Sequence, residues 1–87
     1  MKMCKEVVEV SGEGFEALLG QTITCFCMVY IYTGKLVGVN DSCIKLQGAA
    51  IVYETGAFTE KNWKDVQQLP HELYVQRATI EAFGIVK

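Results

Sequence analysis

A chain of 87 residues with a net charge of −2 and 51% hydrophobic residues is a single small domain, residues 1–87, with a thin core of its own. The mild acidity excludes the globally basic character that marks many nucleic-acid binders, while leaving room for a local basic patch. So high an apolar share in so small a chain points to surface that other copies cover, with a dense monomer core as the alternative.

The opening MKMCKEVVEV carries acidic residues too early for a secretory leader. Residues 5–10 alternate weakly, as a strand or the start of a helix. Ser11-Gly12-Glu13-Gly14 breaks that pattern. FEALL at residues 15–19 contains good helix formers, and Gly20 is a plausible stop, so a short helix is predicted over 13–19.

Residues 22–46, TITCFCMVYIYTGKLVGVNDSCIKL, dominate the chain. Ile23, Cys25, Cys27, Val29 and Ile31 alternate with Thr22, Thr24, Phe26, Met28, Tyr30 and Tyr32, and a period of two means strand. Both sets are largely apolar, so both faces are expected to be covered. The run is too long for one flat strand and is expected to turn near residues 28–31 and to bend at Gly34 or Gly38. Asn40-Asp41 has hairpin chemistry, since both residues tolerate positive φ, and residues 42–46 are expected to return antiparallel to 35–39. Gln47-Gly48 reads as a break or bulge before a further strand, AAIVY at 49–53.

Residues 54–71 form a polar insert. Thr55-Gly56 is a turn signal. Thr59 as cap, with Trp63, Val66 and Leu69 on one stripe and Pro70 as a stop, predicts a short helix over 60–68. ELYVQRATIEAFGIV at 72–86 reads as two strands with a kink near 76–78, Leu73 and Val75 facing one way, Tyr74, Ala78, Ile80 and Ala82 the other. The expected fold is mainly β: a small, strongly bent antiparallel barrel of about five strands, closed or nearly so, with a short N-terminal helix and a helical insert before the last two strands.

The residues offer little for catalysis. His71 is the only histidine and falls in an expected loop after Pro70. With the thiols expected to be buried, no Ser/Cys–His–Asp set can be argued, and a zinc site would need Cys25 and Cys27 from a buried strand. Cys25 and Cys27 share a strand face and cannot readily bridge each other. Four cysteines (Cys4, Cys25, Cys27, Cys43) without an evident framework fit reduced thiols in a cytoplasmic setting. No uninterrupted apolar run approaches the roughly 18 residues of a membrane span. The expectation is therefore a protein that is not an enzyme, with no metal, cofactor or membrane partner.

The order of elements resembles the Sm-like (LSm) family, in which a helix precedes five bent strands in two sequence blocks around a variable loop. Here the blocks would be 20–53 and 72–87. Gly20 fits the glycine at the start of the first strand, and Tyr32-Thr33-Gly34-Lys35-Leu36 matches the aromatic-x-Gly-x-Leu segment. The family's Asp, aromatic or His, and Asn slots fall on Asn40, Ser42 and Ile44, or one residue later on Asp41, Cys43 and Lys45. Neither register restores the full set. In the second block Gln76-Arg77-Ala78-Thr79-Ile80 supplies the arginine, with alanine in place of glycine. The run YIYTGKLVGVNDSCIKLQGAAIVYETGAF is also similar to small Sm-like proteins of phage and prophage, with their Tyr-x-Gly-x-Leu-x-Gly-Val-Asn hairpin and Thr-Gly-x-Phe turn.

The resemblance implies a fold of the SH3-like barrel type. It also implies a homo-oligomeric ring of roughly five to seven subunits, in which the strand at 72–77 of one copy pairs with that at 78–84 of the next. Tyr74, Val75, Ile80 and Phe83 would supply the apolar contact between copies, the alternative being that they fill the subunit's own core. The family's RNA site lies near the ring pore, which would place Asn40, Asp41, Lys45 and Arg77 against single-stranded RNA, with no aromatic residue in the stacking slot. A phage-type structural or adaptor ring with no nucleic-acid role is the second function implied.

Overall fold

The computed structural model describes residues 13–87; Cys4 and the weakly alternating residues 5–10 lie outside the described residues. Helix α1, Gly14–Ala17, stands where a helix was expected but is shorter than 13–19. Its one buried residue, Phe15, anchors it to the sheet.

Strands β1, Thr22–Cys27, and β2, Ile31–Val39, form an antiparallel hairpin running from Thr22 opposite Lys35 to Phe26 opposite Ile31. The turn falls at 28–30, where the length of the run required one, and the Cys27 amide donates to the Tyr30 carbonyl at 3.1 Å. The alternation does not run through it, since Ile31 lies opposite Phe26 and Tyr32 opposite Cys25, each on the face expected for the other. Strand β3, Cys43–Glu54, returns along β2 from Ile44 opposite Val39 to Val52 opposite Ile31. Between those ends the register slips. Thr33 faces Ala50 but Lys35 faces Gln47, so Gly34 alone opposes Gly48 and Ala49. That is a β-bulge, and Gly48 takes a φ of +62° to make it. Gly34 is needed for a different reason: a Cβ there would lie 3.1 Å from Leu46 Cβ and 3.2 Å from both Ala49 Cα and the Gln47 carbonyl. The close approach bends β3 sharply.

The bend lets one edge of β3 carry two partners in succession. Strand β5, Leu73–Gln76, pairs with residues 43–46, and β4, Asp65–Gln68, pairs with residues 50–54. Strand β6, Ile80–Gly84, crosses to the far side and pairs with β1. The short 3-10 turn Arg77–Thr79 joins β5 to β6, at the predicted kink.

Three expectations are corrected. The sheet has six strands in the order β4-β3-β2-β1-β6, with β5 on β3, and it does not close into a five-stranded barrel: no ladder joins β5 to β6. The helix over 60–68 does not form. A helix of that length is marginal in water, whereas an extended 65–68 gains a ladder with the open edge of β3, and Trp63 serves a loop contact instead. The Asn40–Asp41 turn uses no positive φ, since no described non-glycine residue has one; a side-chain cap, described below, replaces it.

Both faces of the sheet are covered, as the doubly apolar strands demand. On the first, Phe15, Ile23, Cys25, Leu36, Ile44, Leu46, Ala49 and Val75 form one buried cluster. On the second, Thr24, Thr33, Ala50 and Val52 are buried. The Thr33 hydroxyl there donates to the Ile23 carbonyl at 2.9 Å, which removes the penalty of an unpaired polar group. The loop between β3 and β4 lies over this second face: Phe58 meets Phe26 edge-on at 6.5 Å, and Trp63 meets Phe58 in the same way.

Two outcomes are expected. Gly34→Ala should cost about 1–3 kcal/mol in a urea titration, because the new methyl meets backbone atoms that cannot step aside; a change within 0.5 kcal/mol would show the approach to be slack. Burial of Cys25, followed by the neighbouring Cys27, pushes its thiol up to about 12 from 9.0. The unfolded chain then loses this proton first, so stability should fall as pH rises above 9.0, by at most about 1.4 kcal/mol per pH unit. Denaturation midpoints between pH 8 and 11 should slope less steeply in Cys25→Ala.

Candidate nucleic-acid interface

The turn between β2 and β3 is built around one side chain. Asn40 Oδ1 accepts from the Ser42 amide at 2.8 Å, the Cys43 amide at 2.8 Å and the Ser42 hydroxyl at 3.1 Å. The Asn40 amide closes the hairpin by donating to the Cys43 carbonyl at 3.0 Å. Such an Asx cap holds the turn without left-handed backbone. It also commits the amide oxygen to three bonds within the turn. Asp41 is exposed at the tip.

Arg77 arrives from the end of β5 and is fastened to this turn. Its amide donates to the Ser42 carbonyl at 2.9 Å and its Nη1 to the Asn40 carbonyl at 2.8 Å. The guanidinium carbon lies 4.9 Å from the centre of the Phe15 ring, and Phe15 stacks on Phe83 with ring centres 3.7 Å apart. The arginine thus joins three elements: the 40–42 turn, α1 and, through the ring stack, β6.

Lys45 sits two residues into β3, opposite Tyr74 of β5. Its ammonium lies 3.6 Å from the Glu72 carboxylate and 5.5 Å from the centre of the Tyr74 ring. The Glu72 carboxylate, then Tyr74, holds the lysine above its ordinary pKa, so it carries a charge throughout the neutral range. Tyr74 is 64% exposed. Together with Gly38, Val39, Asn40, Cys43 and Ile44, this lysine and tyrosine line a shallow cleft of about 140 Å³.

Of the four residues expected at RNA, Asn40 and Arg77 are therefore joined directly, Lys45 shares the cleft with Asn40, and Asp41 stands at the rim of an adjoining depression with Ser42, Tyr74 and Gln76. The residues expected at a subunit interface divide. Val75 is 4% exposed and belongs to the chain's own core, and Ile80 packs against that core. Phe83, 38% exposed, and Tyr74 keep surface to offer. Tyr74 is brought beside the 40–45 segment only by the pairing of β5 with β3, because about thirty residues of chain separate it from these neighbours.

Among the described residues no group of three His, Cys, Asp or Glu side chains could hold a metal ion, and no helix is long and apolar enough to cross a membrane. No family model matches the chain, and no curated protein matches it.

Arg77→Ala should lower stability by about 1–2 kcal/mol, the worth of a charge-assisted hydrogen bond and a ring contact. Arg77→Lys should recover less than half of it, since an ammonium cannot lie flat on Phe15 while reaching Asn40. Equal stabilities of the parent and Arg77→Ala in urea would show that the arginine fastens nothing.

Proposed function

We propose that this chain is an Sm-like protein that assembles through β5 and β6 into a homo-oligomeric ring and binds single-stranded RNA across the Asn40–Lys45–Tyr74 cleft. The observation that carries the RNA reading is the exposed Tyr74 ring beside the Lys45 ammonium. An open aromatic face gives a base something to stack on, and an adjacent cation meets its phosphate. Assembly is supported by the sheet's ends. Strands β5 and β6 each have a single ladder among the described residues, so each offers a row of unpaired backbone groups to another copy.

A second reading, a structural or adaptor ring without nucleic acid, is favoured by the commitment of Asn40 Oδ1 to its own turn and by the acidic balance of the chain. One pair of measurements separates the readings. Native mass at micromolar concentration should give a closed multiple of the single chain; a single chain overturns the ring. Titration with uridine- and adenine-rich oligoribonucleotides should show affinity falling with salt, with a log–log slope of about −0.7 for the one phosphate contact that Lys45 offers in each subunit. Tyr74→Ala should weaken that binding by roughly tenfold, the low end for losing one base stack. A ring that binds no RNA even at low salt leaves the adaptor reading.

A further inference from the structure

The loop between β3 and β4 and the residue Lys87 meet at a site that shares no residue with the cleft above. Lys87 Nζ donates to three main-chain carbonyls: Thr55 at 2.6 Å, Ala57 at 3.0 Å and Asn62 at 3.0 Å. The same nitrogen lies 4.6 Å from the centre of the Trp63 ring and 5.7 Å from that of Phe58. A lysine ammonium has three donors and no acceptor, so the three carbonyls satisfy it completely. The two aromatic faces add attraction from directions the carbonyls leave open.

The cage is held by the loop's own bonds as well as by its guest. The Thr55 hydroxyl donates to the Gly56 carbonyl at 2.9 Å, the Glu60 amide donates to the Ala57 carbonyl at 3.0 Å, and Phe58 and Trp63 meet edge-on at 6.5 Å. Phe58 is braced in turn against Phe26 of β1. An aromatic cage alone prefers a quaternary ammonium, which has no N–H to give. Three converging carbonyls ask for the opposite, a nitrogen bearing three hydrogens. A planar guanidinium cannot aim its donors at one such point.

We propose that loop 55–63 is a binding site for a primary alkylammonium, filled in cis by Lys87, and that its carbonyl trio selects an unmodified lysine over a methylated or neutral one. Occupied, the site latches the segment after β6 to the loop that covers the second face of the sheet. The proposal is independent of the ring and of RNA.

Trp63 is the only tryptophan in the chain, which makes its emission a direct reporter. In the full chain, Lys87→Ala should red-shift that emission and speed exchange of the Glu60 amide, which bonds the Ala57 carbonyl, by on the order of tenfold, with β1, β2 and β3 unchanged. Lys87→Met keeps the apolar stem and should lose the same protection, which separates the ammonium from mere packing. Titrating Lys87→Ala with n-butylammonium should reverse the shift, with half-saturation on the order of millimolar or weaker for so small a ligand. Butyltrimethylammonium at the same concentrations should not. Parent-like emission and exchange in Lys87→Met, no reversal by n-butylammonium, or equal reversal by the two cations would each overturn the proposal.

Discussion

The contact between β2 and β3 at Gly34 shapes everything around it. With no side chain at that point, Leu46 and Ala49 close to within van der Waals range of the β2 backbone, and the extra residue at Gly48 is absorbed as a bulge. A straight β3 of twelve residues would present one continuous edge. The bent one presents two, in different directions, so β5 and β4 follow each other along it without colliding. Leu69 and Gln68 reinforce the corner, both donating to the Ala49 carbonyl, at 2.8 and 3.1 Å. Because β5 docks on the first half, Val75 reaches the core, Tyr74 reaches Lys45, and Arg77 emerges beside the 40–42 turn. The candidate cleft is thus a consequence of the bend rather than of its own residues.

A domain this small has little apolar volume to spend, and it uses both faces of one sheet. The first face is filled with aliphatic side chains and Phe15. The second is filled differently. Its buried residues are small or hydroxylated, Thr24, Thr33 and Ala50, beside Val52. The loop reaches this face through Phe58, which meets Phe26 edge-on and in turn meets Trp63. The loop then needs a tether, since it has no ladder of its own between Glu54 and Asp65, and Lys87 together with the Glu54–Lys64 ion pair provides one at each side. The ion pair is well exposed and adds little; the lysine cage is the firmer of the two.

What could be read from the sequence divides along a physical line. Alternation of side chains is a local property of the backbone, so β1, β2 and β3 were legible as strands. The turn at 28–30 and the kink near 76–78 followed from segment length, and the turn at 40–42 from its residues. Alternation carried across the first turn put Ile31 and Tyr32 on the wrong faces. The break at Gln47-Gly48 was legible too, because a glycine inside a strand pattern marks a bulge or a close backbone approach. Residues 60–68 were misread because a three-residue apolar spacing over one short stretch is compatible with a helix, a loop and an edge strand alike. The open edge of β3 decided between them, and that edge is a tertiary fact. Closure was misread for a similar reason: counting strands does not say whether the last two meet. At the candidate site, Asn40, Asp41, Lys45 and Arg77 came from the family resemblance, since no local pattern of charge or spacing singles them out. Tyr74 was legible only as an apolar strand residue, and its place beside Lys45 depends on a register that no local pattern encodes.

The groups at the cleft are unequal in what they have left to give. Asn40 is consumed by its turn and Arg77 by the joint it makes, so both act mainly as preorganised scaffold. Lys45 keeps its charge but already faces Glu72, so a phosphate arriving there exchanges one anion for another instead of meeting a bare cation. Exchange of that kind is close to neutral in water and is screened further by salt. Tyr74 has the lysine over one side of its ring and is otherwise exposed, and stacking depends little on ionic strength. If a nucleic acid occupies this surface, base stacking on Tyr74 has to supply most of the net affinity. The weak sequence discrimination that stacking affords then follows from the same geometry that occupies Asn40.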